Sequence, residues 1–332
     1  MKYKKLYITI VSTAVFLTSI NAQEAGIEPV DITRVGLSGW QFLKLNGSAS
    51  QAGMAGAFTA AYEGDVNDIF GNPSGLAEVE NIGVAFNQVS WIADIGYQSF
   101  AVAKKYGGGV VGLSFVSLDY GTMDETINST VTGETRTEAV VTGNTFTAGD
   151  VAVGISYARK VTDRLSIGGN YRLVTETIAD LSMNNYSFDI GTTYYTGFKS
   201  LRLSMVARNF GPDVNLTGWS EELQTEPVDI KMPVDFRVGL AIDLLDDESL
   251  TYAIEFTHPN DGTEKINVGA KYTFNNMLVL RGGYRVNYDE EGLTFGAGFN
   301  LPLGGMATRV DYAYVDFGRL QQVHMVTIGL SL

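Results

Sequence analysis

The chain has 332 residues, no cysteine and a formal net charge of −14 at pH 7. The lack of cysteine excludes a disulfide framework and a lipid-modified cysteine, and so acidic a chain repels nucleic acid and anionic surfaces. Its 38 glycines, 17 tyrosines and 17 phenylalanines suit a sheet that turns tightly and meets an interface.

Lys2, Lys4 and Lys5 begin a three-part leader. An apolar run from Leu6 to Ile20 follows, and Ala22 offers a small residue for cleavage. This is the layout of a signal peptide over 1–22; the alternative, a retained anchor, suits so short and broken a run less well. Residues 23–81 have no lasting period. They include a small-residue stretch, with Gly53, Met54, Gly56, Ala57 and Phe58, and a turn at Asn72, Pro73, Ser74, Gly75 and Leu76. This stretch reads as a short helix plus loops that cannot bury a core alone.

From Ile82 onward the apolar residues alternate with period two, the mark of strands. Val234, Phe236, Val238, Leu240 and Ile242 share one face, with Asp235, Arg237, Gly239, Ala241 and Asp243 on the other. The alternation predicts strands at 82–91, 95–105, 108–120, 145–159, 164–178, 184–198, 200–210, 233–245, 248–258, 264–274, 277–288, 292–303, 306–317 and 322–332. That makes about fourteen, an even number of near ten residues each, as a bacterial outer-membrane barrel needs. The connections alternate too. Long ones are expected near 121–144, 179–183, 211–232, 259–263 and 288–291, with short turns between, which matches long outer loops and short periplasmic turns.

Alternation alone leaves a soluble sandwich open. The charges argue against it. Asp235, Arg237, Asp243, Glu255, Lys265, Lys271, Arg281, Arg285, Arg309 and Asp311 all fall on the polar faces. A basic residue facing lipid at midplane costs roughly 2–4 kcal/mol, so placing all the basic ones outward costs on the order of ten. The charged face therefore looks into the lumen. Its mixed signs predict a filled or gated interior rather than a wide pore of one sign. Residues 23–81 are too few to cover fourteen strands from outside. The expected fold is an all-β transmembrane antiparallel barrel at 82–332, with 23–81 as a hatch in its lumen and outer-membrane lipid around it.

Few residues in the chain have the types and spacing that carry chemistry. His258 and His324 are the only histidines; they lack the companions and spacing of a metal site. His258 with Asp261 resembles part of a hydrolase triad, but no orienting third group accompanies them. No nucleophile elbow, phosphate loop or dinucleotide fingerprint occurs, so neither enzyme activity nor a metal or cofactor is expected. Acids in the long loops, among them Asp124, Glu125, Glu138, Asp289 and Glu290, suit a solvated surface better than a calcium loop. Trp91 and Tyr120, at strand ends, are expected in the interfacial belts. Asn72-Pro73 reads as a hatch turn or as a helix cap.

Residues 53–60 (Gly-Met-Ala-Gly-Ala-Phe-Thr-Ala), Asp65 and residues 70–77 (Phe-Gly-Asn-Pro-Ser-Gly-Leu-Ala) resemble the N-terminal signature of the PorV/PorQ family, relatives of FadL-type outer-membrane barrels. The resemblance continues through Asn209-Phe210-Gly211-Pro212, Arg281-Gly282-Gly283-Tyr284 and Asp311-Tyr312-Ala313-Tyr314. Ser74 departs from the family's usual Ala, and Ser331-Leu332 from its terminal Phe. The resemblance implies a fourteen-strand barrel with a lumenal hatch, a Bacteroidota-type outer membrane, and a link to type IX secretion. Its partners would then be secretion-system proteins and sorting-domain clients. A FadL-like channel for hydrophobic small molecules is the second expectation. It requires an apolar pocket between hatch and barrel wall.

Overall fold

The computed structural model describes residues 36, 38–130, 137–214, 229–245 and 249–332. The expected leader, Trp219 and the Asp246-Asp247 turn lie outside them.

Among the described residues fourteen strands form one closed barrel. They are β1 (Ile82–Ser90), β2 (Gly96–Tyr106), β3 (Gly109–Thr130), β4 (Thr137–Thr162), β5 (Leu165–Ile178), β6 (Leu181–Tyr195), β7 (Arg202–Phe210), β8 (Asp235–Leu244), β9 (Leu250–Pro259), β10 (Lys265–Phe274), β11 (Leu278–Val286), β12 (Leu293–Leu303), β13 (Met306–Asp316) and β14 (Gln322–Ser331). Each is antiparallel to its neighbours in sequence. β1 closes on β14, with Gly83 opposite Ser331 and Ser90 opposite His324. Closure leaves no row of unpaired backbone groups, which is the condition for a sheet to sit in hydrocarbon.

Two of the expected loops are strand instead. Residues 121–144 largely continue β3 and β4 to 22 and 26 residues, paired from Asp124 opposite Thr145 up to Thr130 opposite Thr137. A tilted span uses about 9–11 residues, so roughly 11 residues of β3 and about 15 of β4 extend beyond such a span. The segment is polar, which hides it from a search for apolar alternation. Its β-branched residues, such as Thr126, Ile127, Val140 and Val141, still favour extended pairing. The second loop, 179–183, shrinks to a tight turn at 179–180, with Ala179 at φ 50°.

The turns at the other end are short for a local reason. Asn275 and Asn276 have φ of 48° and 55°, and Gly304 and Gly305 have 59° and 86°. Two successive left-handed residues make the turn type whose twist matches a hairpin, and Asn and Gly tolerate it best.

The faces sort as the charges required. Phe236, Phe256, Leu280, Phe295 and Tyr312 point outward and are exposed, as lipid-facing residues of a barrel are. Asp235, Glu255, Arg281, Arg285 and Asp311 are buried inside. Two lumen-side residues contradict the belt expectation. Tyr120 shares the inward parity of Val116 and Leu118, and its hydroxyl donates to Asp150 Oδ2 at 2.8 Å. Trp91 shares the inward parity of Ala85 and Val89 and packs edge-on against Phe317 at 5.0 Å. Parity along the strand, not position at its end, decides which way a ring points. Trp40 is likewise buried, at the lumen core.

Candidate functional site: the lumen and its hatch

Residues 38–81 run through the lumen and carry little regular structure. They contain one short helix, α1 (Ala49–Gly53), and three single turns, at Gln41–Lys44, Val66–Phe70 and Pro73–Glu78. A buried irregular segment must find partners for its backbone N–H and C=O groups. The polar faces of the strands supply them. Glu255 Oε2 accepts from the N–H of Phe58 at 3.3 Å and of Thr59 at 2.9 Å. Arg208 donates to the carbonyl of Leu43 at 2.9 Å, Arg285 to that of Ala55 at 3.3 Å, and Arg202 to that of Ala60 at 3.1 Å. Thr294 donates to the carbonyl of Gly53, and Thr327 accepts from the N–H of Ala49.

Charge adds a second set of ties. Glu63 of the hatch sits among three cations of the wall: Arg309 at 3.0 Å, Arg281 at 3.1 Å and Lys271 at 3.3 Å. Asp65 meets Arg309 at 3.2 Å. Arg237 is held by Asp235 at 2.7 Å and Glu255 at 3.4 Å. Most of the lumen charges singled out from the sequence thus converge on the hatch or on one another; Asp243 pairs with Arg202 instead, and Lys265 forms no ion pair among the described residues.

The spacing of the hatch motif also has a local cause. Met54 lies over the strand glycines Gly269 and Gly283; an added Cβ at Gly283 would stand 2.7 Å from Ala55 Cβ and from the Met54 carbonyl carbon. Gly56 has φ 83°, a conformation that glycine adopts without strain. Ala57 and Phe58 are buried against the wall.

Asn72, fully buried, is the junction of the second half. Its amide donates to the carbonyl of Thr59 at 2.8 Å and to Thr193 at 3.1 Å, while its Oδ1 accepts from the N–H and hydroxyl of Ser74. It caps the turn that Pro73 begins, where a missing N–H costs nothing. Ser74, the departure from the usual Ala, joins a hydroxyl chain through Thr193 to Ser204 at 2.8 Å per step. Gly75 lies against the Asp68 carboxylate, where a side chain would collide, and Leu76 is fully buried. Both readings of Asn72-Pro73 therefore describe one residue pair.

The lumen has two unlike sides. β8–β13 carry the denser set of charges, while Asp150, Arg172, Asp189 and Arg208 are the buried ones on β4–β7. β1–β5 present Val89, Tyr97, Val116 and Leu118, which pack with Trp40, Phe42, Leu43 and Phe70 of the hatch. Between Phe42, Leu43, Phe70, Tyr97 and Val116 lies an apolar recess of about 20 Å³, with Arg172 and Arg208 at its border. At the outer mouth a larger cavity of about 490 Å³ separates the hatch from β8–β11. Charged side chains share its lining with apolar ones, and no sequence motif announced it, because its walls come from six separate stretches of chain.

The His258–Asp261 pairing does not form. His258 meets Glu264 at 3.1 Å on the surface, whereas Asp261 binds Lys44 and accepts from Gln41 at 2.7 Å. Burial pushes the Asp261 carboxyl up, but the Lys44 and Gln41 bonds outweigh it and hold the group below its usual value. His324 bonds the Tyr312 hydroxyl at 2.7 Å on the outer face. Among the described residues no three acid or histidine side chains converge as a metal site.

No family model and no curated protein matches the chain. Solved structures do. CymD, a monoaromatic hydrocarbon channel, is 12% identical over 90% of this chain and 97% of its own, with a TM-score of 0.58. The toluene transporter TbuX of Ralstonia pickettii is 13% identical over 89% and 98%, at 0.57. A FadL homologue of Pseudomonas aeruginosa is 12% identical over 85% and 97%, at 0.52. At such identity the likeness is one of architecture: this chain has the closed fourteen-strand fold of FadL-like barrels from Gram-negative outer membranes.

Proposed function

We propose that this protein is an outer-membrane channel for small hydrophobic molecules, shut in this state by its hatch. The observation that carries the reading is the apolar recess between Phe42, Leu43 and Phe70 of the hatch and Tyr97 and Val116 of the wall. A hydrophobic solute crossing a charged lumen would desolvate ionic groups without pairing them. The apolar side offers a path past fewer ionic groups, with only Arg172 and Arg208 at its border. The recess is too small for a solute as it stands, so passage requires the hatch residues around it to shift. Residues 23–81 are the moving part in this reading and 82–332 the frame, after removal of 1–22. The names of the structurally similar channels, monoaromatic and toluene transporters, support the same class of cargo.

The test is uptake of labelled toluene or a labelled fatty acid by liposomes containing the protein. Uptake above that of protein-free liposomes is expected, and a rate equal to theirs would sink the proposal.

A second reading, a binding barrel of type IX secretion in the PorV/PorQ manner, draws on one observation. The β3–β4 hairpin rises well beyond a membrane span and offers a surface to a protein client. It belongs with a Bacteroidota-type host. If deleting the gene leaves surface attachment of sorting-domain proteins intact, this reading fails.

A further inference from the structure

We propose that the outer mouth of the barrel is a second, polar binding site, shaped for a small aromatic acid that carries a hydroxyl group. This goes beyond the hydrophobic route and uses different residues.

The mouth holds a cavity of about 490 Å³, within the range of small-molecule sites. One wall is hatch, with Gln41, Lys44 and Asn46; the other is the lumen face of β8–β11. Four cations line it, Lys44, Arg237, Lys265 and Arg285, against three acids, Asp235, Asp261 and Glu291. Lys44 pairs with Asp261, Arg237 with Asp235, and Arg285 with Glu291. Lys265 is left over. Among the described residues it forms no ion pair, and its ammonium rests 4.3 Å from the centre of the Tyr288 ring.

Two buried polar atoms in the same walls also lack partners among the described residues. They are Asn267 Oδ1 and Thr257 Oγ1, on side chains of residues only 3% and 7% exposed. Buried polar atoms are ordinarily bonded, so each unmet one calls for an explanation. The register puts all these groups side by side. Thr257 stands directly opposite Lys265, and Asn267, two residues on along the same face, stands opposite Arg285. Directly paired side chains lie about 5 Å apart at Cβ, so one small molecule spans the set.

Each unmet group specifies a part of the ligand. Lys265 calls for a single negative charge. The Asn267 amide already bonds the Tyr288 hydroxyl, while its Oδ1, an acceptor without a partner among the described residues, calls for an O–H donor. Trp91 and Tyr288, both lining the cavity, offer rings against which another ring packs. A neutral aromatic hydrocarbon would meet only the ring faces and would leave Lys265, Asn267 and Thr257 unpaired.

The experiment is calorimetric titration of the full chain in detergent micelles with 4-hydroxybenzoate, benzoate and toluene. The expected order is 4-hydroxybenzoate, then benzoate, then toluene. Lys265→Gln should weaken 4-hydroxybenzoate tenfold or more, and Asn267→Leu should remove its advantage over benzoate. Thr257→Val serves as a second, nearly isosteric variant, and should weaken 4-hydroxybenzoate several-fold. Heat-shifted gel mobility shows that each barrel is folded. The proposal is overturned if 4-hydroxybenzoate does not bind, if toluene binds as tightly, or if folded Lys265→Gln binds the acid unchanged. Transport is not read, so failure here leaves the hydrophobic route standing, and failure of liposome uptake leaves this site standing.

Discussion

Arg281 on β11 reaches past an intervening strand to Asp311 on β13, with 2.8 Å between guanidinium and carboxylate and both side chains buried. β12 permits this because it presents Gly296 opposite Arg281 and Gly298 opposite Asp311. A side chain at Gly298 would collide with the Asp311 carboxylate and stand 3.0 Å from the Arg281 guanidinium. Gly298→Val should therefore separate the pair and leave two buried charges imperfectly met. Breaking a buried pair costs roughly 3–5 kcal/mol. Urea unfolding in lipid vesicles should show a loss of that order; an unchanged midpoint would mean the lumen is wet enough to tolerate the gap.

Glu63 is the only hatch residue with three cationic partners among the described ion pairs. Glu63→Gln keeps its shape and removes its charge. The Arg281, Lys271 and Arg309 side chains then repel one another with the hatch no longer neutralising them. Single-channel recording in planar bilayers should show more frequent openings than wild type, and the strands should exchange amide hydrogens as before. Equal opening frequencies would show that the hydrogen bonds to Glu255, Arg208 and Arg202 suffice to hold the hatch.

The tie between Lys44 and Asp261 has a pH sign. The Asp261 carboxyl lies lower in the folded protein than its ordinary value near 3.9. The stabilisation is then fully present above that ordinary value, and is lost as pH falls through the lower folded one. Proteolysis near residues 38–46 should stay slow and flat from pH 8 to about pH 5 and quicken only in stronger acid. In Asp261→Asn it should be faster at neutral pH and lose that acid step.

Ile155 marks the lipid face. It lies on β4 opposite Leu113 of β3, and both are exposed. Its position is well inside the membrane-spanning part of the strand. Ile155→Arg should cost roughly 2–4 kcal/mol of barrel stability, and Ile155→Leu almost nothing. Similar midpoints for the two variants would place that face in water and overturn the membrane orientation.

The barrel was legible in the sequence because period-two alternation needs only local information. It gave fourteen strands and the inward side of Asp235, Arg281 and Asp311. The same alternation, applied to Trp91 and Tyr120 as the last residues of the predicted strands 82–91 and 108–120, turns both inward, but their strand-end position pointed to a belt instead. The upper part of the β3–β4 hairpin escaped because both of its faces meet water and neither is patterned apolar. The hatch was recognisable from its motif, whereas its seat was not. Gly239, Gly269, Gly283 and Gly296 stood among the charges on the polar faces, and glycine inside a strand signals close backbone approach. What approaches, and from where, depends on residues some two hundred positions away, such as Met54 over Gly269 and Gly283. The outer cavity was beyond reach for the same reason.

The pairing of β1 with β14 sets an order of events during biogenesis. Ser90 cannot find His324 until every strand between them has been synthesised. Until then β1 has one open edge, and the hatch has only part of the ring whose side chains hold its backbone. Contacts of such long sequence separation form late and slowly. The chain must therefore be kept from self-association until the ring closes, and its acidity, through mutual repulsion, is one means by which the unclosed protein stays dispersed.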